Sequence, residues 1–374
     1  MNAVATVDSL HVKATELTGL LDFGSPDYLE GLEVVLSSLD KDAGLTPAGV
    51  EQARSELTEI LVSRLLSEDG WKKYPEHAEV RIERPVFITG MPRTATTALH
   101  RLLTADPAHQ GLPMWLGIAP QPRPLRSQWA ANPHFQQIDK DIRDFVDARP
   151  GYLGLHNTSA AEPDECWLLL RQSLTSFFFE FSCYVPTYSK WLAGRDLRPS
   201  YQRHRRNLQL IGLTRPGRRW VLKDPGHAFG IDALLDTYPD ALVIQTHRDP
   251  ATVVPSLCSL IDKHTSGAST VYRGELLGRA ALDLTHRGLS AFTEARRRHD
   301  AHRFYDVWFD DFAADPISVV EDIYARLDAP LTDETRARMV ELQLKDDKRR
   351  SHTYEAADFG LSSELINERF GALQ

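Results

Sequence analysis

Three groups of residues in this chain have the types and spacing to hold and transfer an anionic group. The first is Arg93 with Thr94, Ala95, Thr96 and Thr97, a guanidinium followed within four positions by the Thr96 and Thr97 hydroxyls. The second is Lys223 with His227, in the turn that follows Arg219-Trp220-Val221-Leu222. The third is Arg248 with Ser256, eight residues further on. Cationic side chains neutralise phosphate or sulfate oxygens, hydroxyls fix their orientation, and an imidazole titrating near working pH moves a proton. An acidic run, Glu162-Pro163-Asp164-Glu165, adds carboxylates that either cap a following helix or face the reaction centre as a base. Cys166, Cys183 and Cys258 show no CxxC or Cys/His ligand spacing, so the pattern calls for no metal.

The elements that must position these groups follow from hydropathy patterning. Val86-Phe87-Ile88 is a short apolar run that suits a buried parallel strand, and Gly90 and Pro92 punctuate the turn after it. Leu99, Leu102 and Leu103 fall at helical spacing, so a helix opens at Thr96 and Thr97 and aims its first backbone N–H groups above the sheet. Arg219 to Leu222 and Ala241 to Gln245 read as two further strands, each ending in a basic turn. A helix is expected over 228–238, and Asp249-Pro250 starts another that contains Pro255. Trp308 to Phe312 is a candidate last strand. Ligands of open parallel sheets bind outside the carboxyl ends of the strands, where all three groups lie.

Residues 4 to about 70 keep helical spacing, broken at Phe23-Gly24-Ser25-Pro26 and at Gly44-Leu45-Thr46-Pro47. Residues 111–126 carry four prolines and read as an irregular loop; 176–192 are aromatic-rich, suited to core or to an apolar acceptor site. The expected architecture is therefore α/β: a P-loop-like, doubly wound domain with a central parallel sheet flanked by helices. It spans 81–374, carries a helical substrate-side insertion at about 111–215, and packs with a helical region over 1–80 as effectively one domain.

Composition narrows the partners. Of 374 residues, 42% are hydrophobic and 25% charged, ordinary for a globular protein, and the net charge of −9 argues against general nucleic-acid binding. The first twenty residues show no signal-peptide pattern, and no apolar run reaches the length of a membrane span. Three sparse cysteines suit a reducing cytoplasm.

The stretch from Gly90 to Thr97 nearly matches the nucleotide loop GxxxxGK[ST], but Ala95 stands at the second glycine and Thr96 at the lysine. A nucleoside-triphosphate enzyme needs that lysine, so kinase activity is disfavoured. With Pro92-Arg93-Thr94-Ala95-Thr96-Thr97, Lys223 to His227, and the Arg248–Ser256 pair together, the chain resembles the PAPS-dependent sulfotransferases, closest to the bacterial, actinobacterial-type branch. The resemblance runs from about Pro85 to the C-terminus. It implies that Arg93, Thr94, Ala95, Thr96 and Thr97 hold the 5′-phosphosulfate of 3′-phosphoadenosine-5′-phosphosulfate (PAPS), and that Arg248 and Ser256 hold the 3′-phosphate. It also implies that 348–361 covers the donor. The implied reaction is in-line sulfuryl transfer to a hydroxyl of a small-molecule, lipid or glycolipid acceptor, with Arg93 and Lys223 supplying charge and His227 or Glu162 the base. Two alternatives stand beside it: a catalytically silent nucleotide- or lipid-binding protein on the same fold, and a degenerate P-loop kinase. Ala95 departs from the family glycine, and its methyl group is costly if that position requires a positive φ or a very close approach to the phosphate, and harmless in a right-handed first helical turn.

Overall fold

A computed structural model describes residues 4–147, 159–346 and 355–371. Three helices lead: α1 (Val7–Thr18), α2 (Leu29–Lys41) and α3 (Pro47–Lys73). The expected breaks separate them, and Thr46 caps α3 by accepting a hydrogen bond from the Gly49 amide at 3.1 Å. Their apolar faces do not close on themselves. Leu32, Val35, Leu57 and Leu61 share a buried cluster with Leu174 and, from the aromatic-rich stretch, Phe179, Tyr188 and Leu192.

The centre is a five-stranded, wholly parallel sheet in the order β2-β3-β1-β4-β5. Its strands are β1 (Val86–Gly90), β2 (His109–Gln110), β3 (Arg219–Lys223), β4 (Leu242–His247) and β5 (Phe304–Trp308). In β1, Val86 and Ile88 join one apolar cluster and Phe87 the other, the period-two alternation of a strand covered on both faces. On the Phe87 face lie the helices Arg198–Gly212 and Ile231–Thr237, through Tyr201, Leu208, Ile211, Ile231 and Leu234. On the Val86–Ile88 face lie α4 (Thr96–Thr104) and the helix Pro316–Arg326, through Leu99, Leu102, Leu103, Val320 and Ile323.

Several expectations shift. The last strand is Phe304–Trp308, and the 308–312 stretch instead starts the helix Phe309–Ala314. Phe304 and Val307 bury in the sheet clusters, while Trp308 stands exposed where the strand ends. The 111–126 stretch holds a short helix, Met114–Ile118. The expected 228–238 helix divides at Gly230 into a 3₁₀ turn, Pro225–Phe229, and the helix Ile231–Thr237. Glu162, Asp164 and Glu165 precede the helix Trp167–Leu170, with Cys166 at its N-cap, so they are not its first turn. Of the segment implied to cover the donor, 348–354 lies outside the described residues. Phe359 and Leu361 are buried against the helices Pro250–Thr265 and Gly274–Arg296.

Candidate active site

The turn from β1 into α4 is built by backbone of alternating hand. φ is positive at Gly90 (143°), Arg93 (74°) and Ala95 (69°), and not at the intervening Met91, Pro92 and Thr94. Alternating handedness turns successive N–H groups toward one concavity, and the N-terminus of α4 continues it. Gly90 is required here: a Cβ would lie 2.4 Å from Thr246 Oγ1 and 2.6 Å from the Thr246 carbonyl oxygen on β4. Ala95 adopts the left-handed conformation with its methyl group in place, a strain of about 1 kcal/mol relative to glycine.

The loop's side chains divide by direction. Thr94 is buried, donates to the Met91 carbonyl at 2.7 Å and pairs with Thr246 Oγ1 at 2.5 Å, so its hydroxyl ties the loop to the sheet. Thr96, first residue of α4, is buried too. Thr97 accepts a hydrogen bond from Lys223 Nζ at 3.3 Å. Arg93 Nε donates to Ser256 Oγ at 3.2 Å, and Arg248 Nη1 donates to the Arg93 carbonyl at 3.0 Å. The Arg248 guanidinium also lies 3.7 Å from the centre of the Phe309 ring, a cation–π contact that fixes its plane. The two basic loops, more than 150 residues apart in sequence, thus form one continuous patch.

Lys223 is buried at the end of β3 and makes an ion pair with the Glu165 carboxylate. A buried ammonium persists only when paired, and Glu165 is its carboxylate partner. Asp224 follows. Its Oδ1 accepts from the Gly226 amide at 2.7 Å, which starts the 3₁₀ turn, and burial, with the nearby Glu165 charge second, pushes its pKa well up. Glu165, Asp224 and Pro92 line one cavity of about 240 Å³. Its other walls are aromatic and aliphatic: Trp167 stacked on Phe178 with ring centres 4.5 Å apart, Phe177 stacked on Phe229 at 3.9 Å, then Phe181, Leu257 and Ile261.

The two residues expected as base lie elsewhere. His227 is fully buried on the Phe87 side of the sheet, its Nδ1 bonded to the Tyr201 hydroxyl at 2.8 Å and its ring edge-on to Phe87. Burial, with His204 second, drives its pKa well below the ordinary histidine value. The 3₁₀ turn is the cause. It sets Pro225 and Gly226 on the cavity wall and swings His227 behind them. Glu162 is half-exposed, outside the cavity lining, and faces Arg101 at 3.8 Å. Of the acidic run, Glu165 is the member that lines the cavity and pairs with Lys223. It belongs to the acidic run that the sequence singles out, but nothing in the sequence selects it from its neighbours. Among the described residues no group of three His, Cys, Asp or Glu side chains is placed to hold a metal, and no helix is long and apolar enough to cross a membrane.

Comparison with known proteins adds a family. A model of the sulfotransferase family matches residues 85–333. The crystal structure of sulfotransferase STF1 from Mycobacterium tuberculosis H37Rv superposes with a TM-score of 0.92 at 50% identity, covering all of both chains. Sulfotransferase STF9 from Mycobacterium avium gives 0.87 at 28% identity, over all of this chain and 96% of that one. Among curated proteins, the omega-hydroxy-beta-dihydromenaquinone-9 sulfotransferase Stf3 of Mycobacterium bovis is 28% identical over 256 residues. That match takes in 65% of this chain and 62% of the relative's length.

Proposed function

The chain belongs to the sulfotransferase family, and we propose that it moves a sulfuryl group from PAPS to a hydroxyl of a small apolar or lipid acceptor. The observation that carries this reading is that the Gly90–Thr97 anion loop, through Pro92, and the Lys223–Glu165 pair, through Glu165, border the same apolar cavity. The donor set suits PAPS. The loop amides and the α4 N-terminus match a phosphosulfate, and the linked Arg93–Arg248–Ser256 patch supplies cationic and hydroxyl donors for a second phosphate close by. Thr94 and Ala95 contribute backbone rather than side chain.

When bound, PAPS supplies an activated sulfuryl group on a phosphate leaving group. Glu165 accepts the proton of the acceptor hydroxyl as the new oxygen–sulfur bond forms and the bridging sulfur–oxygen bond breaks. Lys223, held between Thr97 and Glu165, places positive charge where the leaving phosphate gathers negative charge. At the sheet end of this cavity burial favours the protonated form of Asp224, whereas Glu165 is the carboxyl held in an ion pair with Lys223, and we assign the base to Glu165. The aromatic walls favour a flat or isoprenoid alcohol, and the quinone-lipid substrate in the name of the Mycobacterium bovis relative belongs to that class. We assign residues 4–80 to the same folding unit, because their apolar cluster is completed by residues 174–192 and Leu197. The three free thiols suit the cytoplasm.

Thermal unfolding tests the reading. Adenosine 3′,5′-bisphosphate at a hundredfold excess over its Kd stabilises the protein by about 2.7 kcal/mol, and ATP with magnesium at the same concentration does not. No response to the bisphosphate overturns the assignment.

A further inference from the structure

One acidic side chain on the cavity wall has no part in the proposed chemistry. Glu56 comes from α3, in the leading helical region, and lines the cavity alongside Ser182, Ile261 and His264. Burial, opposed by Arg171 and reinforced by Glu59, pushes its pKa up to about 7. Yet 25% of its side-chain surface remains accessible. A carboxyl so strongly desolvated and still accessible is reached through the cavities it lines, this one and a smaller space of about 20 Å³ behind it.

Its neighbours do not account for it. The obvious partner is Arg171, fully buried and stacked over Trp167 at 4.8 Å. Arg171 already makes a direct ion pair with Glu59, whereas its nearest approach to Glu56 is 3.9 Å, beyond hydrogen-bond reach. A second carboxyl drawn into an apolar wall, with no hydrogen bond among the described residues, costs stability. Among the described residues the other titratable groups lining this cavity are His264 from the helix Pro250–Thr265, Tyr201 from the helix Arg198–Gly212 and, at the sheet edge, Glu165 and Asp224.

We propose that Glu56 is a specificity-determining residue that accepts a hydrogen bond from a second hydroxyl of the acceptor. The acceptor class is then a compact apolar diol, or a larger apolar molecule whose reacting end carries two hydroxyls. One hydroxyl lies at Glu165 and the other at Glu56, with the hydrocarbon between the Trp167–Phe178 stack and the aliphatic side chains of Leu257 and Ile261. The volume of about 240 Å³ lies below the usual range for whole drug-sized ligands, which sets the size of what enters. A site built to pair a hydroxyl discriminates strongly against an analogue that lacks it, because the carboxyl is left buried and unpaired.

The inference rests on the acceptor assignment of this cavity, and calorimetric binding tests it without requiring transfer. The probes are 2,6-dihydroxynaphthalene and its mono-methyl ether, 6-methoxy-2-naphthol, titrated at pH 8 in the presence of adenosine 3′,5′-bisphosphate. The wild-type protein binds the diol at least tenfold more tightly than the ether, since a carboxylate only accepts. Glu56→Gln reduces that ratio to within about threefold, because the amide also donates and so pairs with the ether oxygen. Glu56→Ala removes the preference by weakening the diol alone. Equal binding of the two probes to wild type, or an undiminished ratio in Glu56→Gln, overturns the role of Glu56. The parent reading fails separately, by loss of the bisphosphate response, which neither substitution changes.

Discussion

The anion loop and the apolar cavity meet at Pro92, with Glu165 on the cavity wall paired to Lys223 beside Thr97, but they are made in opposite ways. The loop is a backbone device. Positive φ at Gly90, Arg93 and Ala95 fixes where the amides point, and the side chains mostly brace it: Thr94 to Thr246, Arg93 to Ser256, Arg248 to the Arg93 carbonyl. The cavity is a side-chain device. Its walls come from α3, from 165–182, from 197–201, from the turn after β3 and from the helix Pro250–Thr265. Behind it, Tyr201 and Tyr238 hold two fully buried histidines, His227 and His204, at 2.8 Å each. The loop stores local strain, whereas the cavity side stores desolvated polar groups that long-range packing keeps neutral.

Acid should separate the two regions with the largest effect. Burial depresses His204 to about 3 and His227 well below its ordinary value; under the loop, burial and then the Lys223 charge depress His100 to about 4. The unfolded chain protonates all three near pH 6.5, so below that pH it binds more protons than the folded state. Stability is therefore full above about pH 6.5 and falls as pH drops toward 4, at up to about 1.4 kcal/mol per pH unit for each histidine. Urea melts between pH 7 and 4.5 measure this. A flat profile would mean that these rings are not buried neutral, and replacing His204 and His227 together by Gln should remove about two thirds of the slope.

The next test asks which carboxylate serves the loop. Glu165→Gln should lower turnover by about 10²- to 10⁴-fold, the usual worth of a positioned general base, while the thermal response to adenosine 3′,5′-bisphosphate survives. Glu162→Gln should change turnover less than threefold, since that side chain is half-exposed and turned to Arg101. His227→Gln should lower the melting temperature more than the turnover of the folded fraction. A variant series in which Glu162 or His227, and not Glu165, carries the rate would reverse the assignment.

The smallest effect concerns strain within the loop. Ala95→Gly removes the left-handed penalty at φ 69°, about 1 kcal/mol, and should raise the melting temperature by roughly 2–4 °C with turnover retained. A fall in stability would show that glycine's freedom in the unfolded chain outweighs the relief.

Some of this was legible before any coordinates. The strand–turn–helix around Gly90 to Thr97 is local: apolar run, turn residues and helical spacing lie within twenty positions, and the structure returns β1 and α4 there. The Arg248–Ser256 spacing is equally local, one strand end and two turns of the next helix. The last strand lies earlier than the sequence pattern places it, because the apolar residues of 304–312 fit strand and helix alike and pairing with β4 decides where the strand ends.

The amino-acid sequence alone determined the parallel α/β core, the anion loop and its missing lysine, because each depends on neighbours along the chain. Tertiary structure decided the rest. Lys223 reaches Glu165 across 58 residues, the turn begun at Asp224 buries His227, and α3 brings Glu56 to a cavity otherwise walled from 92 onward. Which way a carboxylate or an imidazole faces is set by the packing of distant elements, and hydropathy and spacing record only the element on which it rides.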